Sequence, residues 1–94
     1  MIVASLEMTI TFYAESLKDK RSIVKRVLAR TRSAFNVSAA EVEELDNPNG
    51  AVLGFVSVGN DRRYLEGQLQ ALDLFVERLE LCEIVDSVKE FTIM

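Results

Sequence analysis

The sequence predicts a small α+β domain in which two helices cover one face of a four-stranded antiparallel sheet. Three observations carry that expectation. Ile2–Phe12 alternates apolar and polar residues without a break, which is the period of a strand with one buried face. Ser16–Phe35 and Arg62–Leu81 repeat apolar residues at helical spacing. Between them, Asn47-Pro48-Asn49-Gly50 is a strong turn joining two extended runs. The resulting order is strand, helix, strand, strand, helix, strand: the split βαβ, or ferredoxin-like, plan. Its 94 residues suffice for one such domain with one modest core.

In the first strand Ile2, Ala4, Leu6, Met8, Ile10 and Phe12 share a face. Val3, Ser5, Glu7, Thr9 and Thr11 form the other, which is left open to water or to a partner. In the first helix Ser16 is an N-cap, with Asp19 three residues on in a variant capping box. Leu17, Val24, Val27, Leu28, Thr31 and Phe35 form its apolar stripe, and Asn36 is expected to close it in a left-handed conformation. Val37–Leu45 reads as an edge strand whose acids, Glu41, Glu43 and Glu44, discourage stray pairing, with Glu41 and Glu43 on one face. The Asn49-Gly50 pair is expected to supply positive φ in the following turn. Ala51–Val58 is apolar on both faces and reads as a central strand, where Gly54 marks a bulge or a close backbone approach. Gly59-Asn60-Asp61 ends that strand and caps the second helix, roughly Arg62–Leu81, whose buried stripe is Leu65, Leu69, Leu72, Val76 and Leu79. Glu66, Asp73, Glu77 and Glu80 run beside that stripe, and Glu83–Met94 is the last strand.

Charge is distributed unevenly. The net charge is −4, yet the segment 16–34 holds seven cations against one acid, so a basic helix sits in an acidic body. Lys18, Lys20, Arg21 and Lys25 are read as one flank of the first helix, continued by Arg32. The topology brings Arg30 and Arg32 to the same end of the molecule as Arg62 and Arg63. Lys18, Lys20, Arg21, Lys25, Arg32, Arg62 and Arg63 are therefore the candidate contacts for phosphate, the lysines as point charges and the arginines as bidentate donors. The competing expectation is that these cations are merely solvated, or pair with the acidic second helix lying antiparallel beside them.

Other chemistries are excluded or poorly supported. The chain has no histidine, which removes imidazole catalysis and His-ligated metals. Its single cysteine, Cys82, forms no internal disulfide, fits a reducing cytosol and reads as a small core filler. The four glycines make no phosphate loop, the longest apolar run is too short to cross a membrane, and nothing at Met1 resembles a signal peptide. The expectation is a non-enzymatic cytoplasmic protein with no cofactor and no metal. The first strand lacks the aromatics of an RNA-recognition motif, so contact is expected with the RNA backbone or with folded RNA. The alternative is a homodimeric interaction module. Val52, Val56 and Val58 would face the open side of the sheet, and Gly67, Leu74 and Leu81 recur every seven residues along the second helix.

Ordered short motifs add a family resemblance. Ser16-Leu17-Lys18-Asp19-Lys20-Arg21 fits an S-L-K-x-K-R signature. Phe35-Asn36-Val37-Ser38, Ala40-Glu41-Val42, Ala51-Val52-Leu53-Gly54 and Asn60-Asp61-Arg62-Arg63 follow in order. Over essentially its whole length the chain resembles the YlxP-like family of small bacterial proteins, a family of unknown function. The resemblance implies a ferredoxin-like fold, an association with translation or ribosome maturation, and no catalytic residues. The hairpin at Asp46–Gly50 is tighter than the family pattern.

Overall fold

The computed structural model describes every residue, Met1–Met94. Six elements follow in the expected order: β1 (Ile2–Thr11), α1 (Leu17–Ala34), β2 (Ser38–Glu43), β3 (Gly50–Gly59), α2 (Arg62–Arg78) and β4 (Glu83–Ile93). The strands form one sheet in the order β2-β3-β1-β4, with every neighbouring pair antiparallel. The first strand is thus central, flanked by two strands that arrive much later in the chain.

Alternation along β1 sets the core. Ala4, Leu6, Met8 and Ile10 are fully buried and meet Ala51, Leu53 and Phe55 of β3 on the same face. Onto that face α1 sets Val24, Val27 and Leu28, and α2 sets Leu65, Leu69, Leu72 and Val76. Each large side chain removed from water in this way contributes about 1.5–3 kcal/mol. Where the helices meet, Phe35 and Phe75 pack edge to face with ring centroids 5.4 Å apart.

The helix caps are built from the expected residues at the N-termini only. Asp19 N–H donates to Ser16 Oγ at 3.1 Å, and Glu15 N–H donates to Asp19 Oδ2 at 3.1 Å. Asp61 Oδ1 accepts from Tyr64 N–H at 3.3 Å. At the C-terminus of α1, Phe35 is the cap in extended conformation and Asn36 is not left-handed. Nor do Asn49 and Gly50 take positive φ. The two left-handed residues are Glu44 (φ 64°) and Glu80 (φ 57°). The 44–49 loop is held instead by side chains: Asn47 Oδ1 accepts from Asn49 N–H at 3.0 Å, and Asn49 Oδ1 accepts from Ala14 N–H at 3.4 Å. With its turn chemistry supplied this way, the Asn-Gly pair is free to stay on the negative side of φ.

Helix α2 ends at Arg78, three residues before the expected stop. The left-handed turn at Glu80 swings Leu81 back against the core, so Gly67, Leu74 and Leu81 form no continuous outer seam. On β2 the register slips between Glu41 and Glu43, leaving Val42 as a bulge. Glu41 lies opposite Leu53 on the helix-covered face and Glu43 opposite Val52 on the open one, so the two acids do not share a face. The bulged Val42 lies over Gly54, where a Cβ would come within 3.0 Å of Val42 Cγ1. The glycine thus makes room for a side chain from the bulge on β2, where the sequence predicts a bulge in its own strand or a close backbone.

Candidate nucleic-acid interface

On α1 the cations fall into two sets. Lys18, Arg21, Lys25 and Arg32 are spaced three, four and seven residues apart and share one exposed flank. Lys20 is not among them. It falls four residues before Val24 and seven before Val27, in the middle of the buried stripe, and is 1% exposed. Its stem is packed under β2, and its ammonium lies 3.0 Å from Glu41 Oε2. It also donates to the carbonyls of Glu44 and Leu45, at 2.5 and 3.2 Å. A buried ammonium requires such partners to offset its desolvation. Lys20 therefore fastens the 44–49 loop to the helix and is corrected from phosphate contact to structural anchor.

Arg32 is exposed, but its Nη2 donates to the carbonyl of Ala39 at 2.8 Å, tying α1 to the edge strand β2. At the same end Arg62 turns the other way. Its Nε pairs with Glu66 at 3.0 Å, and its guanidinium lies 4.6 Å from the centroid of the Phe91 ring on β4. Arg32 and Arg62 thus reach toward opposite edges of the sheet, and the four arginines expected at this end do not converge on one patch. Arg63 is exposed beside Tyr64, lining a cleft of about 460 Å³ that lies between the end of α1 and the start of α2.

The remaining cations of α1 are unpaired. The molecule has three ion pairs, Lys20–Glu41, Arg62–Glu66 and Lys89–Asp73, and none joins α1 to α2. The expected neutralisation across the helix seam is absent because the acids of α2 face elsewhere. Asp73 turns to β4, where it meets Lys89 Nζ at 3.1 Å and accepts from Ser87 Oγ at 2.8 Å. Lys18, Arg21 and Lys25 keep their full charge at the surface, joined by Arg26 and Arg30 on the adjoining side of the helix. Those two arginines were visible as charges, but only the helix orientation shows them to be exposed and unpaired.

Cys82 is half-buried at the end of the α2–β4 link, and burial pushes its thiol up to about 11. It is therefore a neutral thiol at pH 7, as a core filler would be. The open face of the sheet carries the expected valines, with Val56 39% and Val58 61% exposed and Val52 buried. By register Glu7, Glu43, Glu83, Asp86 and Glu90 share that face. No helix is long and apolar enough to cross a membrane.

Comparison with known proteins agrees with this architecture. The chain is similar in fold to two designed proteins. Against the de novo protein Foldit4 the TM-score is 0.54 at 17% identity, with 98% of each chain covered. Against the de novo protein LFR1 1, with a ferredoxin fold, it is 0.54 at 14% identity, covering 98% of this chain and 84% of that one. These likenesses establish the fold alone. In sequence, the chain is 35% identical over 68 residues to the uncharacterized protein YlxP of Bacillus subtilis (strain 168), spanning 72% of this chain and 74% of that one. The model of a protein family of unknown function, DUF503, matches residues 3–89. With nearly every element inside that match, from the first strand through most of the last, the chain belongs to the DUF503 family.

Proposed function

We propose that the protein binds structured RNA, ribosomal RNA in particular, through phosphate contacts on the outer flank of α1. The observation that carries the reading is that Lys18, Arg21 and Lys25 are exposed and enter no ion pair, although the body beside them is acidic. Three cations on one flank of a helix can contact successive phosphates and fix the orientation of the protein on the RNA. A helix also fixes their positions better than a loop would. Sequence-independent affinity and strong salt dependence follow, because each neutralised phosphate releases counterions. The protein acts as a non-enzymatic cytoplasmic factor in this reading, and Arg63 with Arg26 and Arg30 extends the basic surface.

The test is binding to a structured ribosomal RNA fragment across a salt series. Replacing Arg21 and Lys25 by Ala is expected to weaken binding and to flatten the log–log salt slope by about 1.8, two phosphates at about 0.9 each. Equal affinity and slope for variant and parent would remove α1 as the contact surface.

A second reading, a homodimer through the open sheet face, is favoured by the exposed valines Val42, Val56, Val58 and Val88. Against it, the same face carries five acids by register and no lysine or arginine. Packing two such faces would bring like charges together. Light scattering at several dilutions tests it, and a monomer throughout the micromolar range would exclude it.

A further inference from the structure

A wide groove lies at the opposite end from the Arg32 and Arg62 contacts. It encloses about 1470 Å³ between the second half of α2, the α2–β4 link and the exit of β1. Its floor is apolar. Phe12, Leu81, Cys82 and Ile84 line it, each partly buried and packed against the core. Its rim is acidic, with Glu77, Glu80 and Glu83 exposed and none of them in an ion pair. Asp73, also in the wall, is already held by Lys89 and Ser87. Tyr13 stands at the mouth, 81% exposed. No lysine or arginine lines the groove.

We infer that this groove docks a basic amphipathic peptide segment of another protein, such as a Lys/Arg-rich tail with apolar residues between its cations. Its open, elongated shape, at about 1470 Å³, suits an extended segment. Charge decides against nucleic acid, because three unpaired carboxylates repel phosphate. It decides against a copy of the protein's own acidic sheet face for the same reason. A basic segment satisfies all three features at once. Its apolar side chains cover the floor, its cations meet the Glu77, Glu80 and Glu83 carboxylates, and one cation can stack on the Tyr13 ring. The groove shares no residue with the outer flank of α1, so the inference stands apart from RNA binding. Together the two surfaces suit a factor that holds RNA on one side and a basic protein segment on the other.

The test uses the full chain and a synthetic peptide of Lys and Leu at helical spacing, acetylated and amidated. Calorimetry gives the affinity. In a Tyr64→Phe background Tyr13 is the only tyrosine, and its fluorescence reports occupancy of the groove mouth. Saturable binding with a change in Tyr13 emission is expected. Changing Glu77, Glu80 and Glu83 together to Gln should weaken it about tenfold. These side chains are exposed, so the variant keeps the fold, which circular dichroism verifies. The Arg21→Ala, Lys25→Ala variant should bind the peptide as the parent does, which separates this site from the RNA surface. The inference is overturned by absence of saturable binding or by unchanged affinity in the triple Gln variant. It is also overturned if a Glu-for-Lys control peptide binds equally, or if spermine saturates the site and displaces the peptide at equal affinity.

Discussion

Helix α1 carries cations that are buried or bonded to neighbouring backbone and cations that are wholly exposed, and the two sets behave differently. On the inner side Lys20 is buried, paired with Glu41 and donating to two loop carbonyls, while Arg32 at the margin bonds the edge strand. On the outer side Lys18, Arg21 and Lys25 touch no acid. Residues of one charge, within fifteen positions of one another, thus divide into fasteners and free charge. The difference shows that a basic segment cannot be read as a binding surface until the helix has been rotated onto its core. A lysine at the spacing of the apolar stripe belongs to the interior, whatever its charge.

The comparison can be broken at the inner side first. Replacing Lys20 by Ala leaves Glu41 under the sheet edge with its charge uncompensated and two carbonyls without their donor. Unfolding free energy in urea should fall by about 3 kcal/mol, the cost of removing one partner of a buried pair. A Lys20→Met, Glu41→Leu double variant should recover most of that loss, since it removes both charges together. If the single variant were as stable as the parent, the ammonium would not be an anchor. At the margin, Arg32→Ala should cost about 1 kcal/mol by losing the bond to Ala39. The loss should appear as faster amide exchange in β2 with β1 unchanged. On the outer side the Arg21→Ala, Lys25→Ala variant should shift stability by no more than about 0.5 kcal/mol, as exposed positions without partners do. A larger loss there would show that these side chains are also fasteners.

Much of the architecture was legible because period and capping point the same way. The alternation of β1, the two apolar stripes, Ser16, Asp61 and the turn at Asn47–Gly50 each specify a local structure that the sheet then accepts. Gly54 was legible too, since a glycine within an apolar strand announces that something lies over it. What stayed hidden depends on contacts distant in sequence. Glutamate has little tendency to adopt positive φ, so nothing at Glu44 or Glu80 marks the left-handed turns found there. The bulge at Val42, which separates Glu41 from Glu43, is set by β3 across the hairpin. The candidate site was legible as charge, and Lys18, Arg21, Lys25 and Arg63 are exposed with no ion pair, whereas Arg62 is paired with Glu66. Lys20 was misread although its spacing from Val24, Val27 and Thr31 carried the signal. Arg32 could not have been read, because its partner is a carbonyl oxygen.

The placement of β1 in the middle of the sheet has a consequence for the order in which the molecule assembles. Only the β2–β3 hairpin joins strands that are close in the chain, and such hairpins form in about 1–10 μs. The central strand must then find β3, with Leu6 against Phe55, and finally β4, with Leu6 against Lys89. Each of those closures orders a long stretch of chain before its contacts are made, which slows folding relative to a helical bundle of this size. On a ribosome the 11-residue β4 emerges well after the strand it pairs with, so until then one edge of the central strand has no partner. During synthesis the nascent chain therefore exposes an unpaired strand edge until β4 docks.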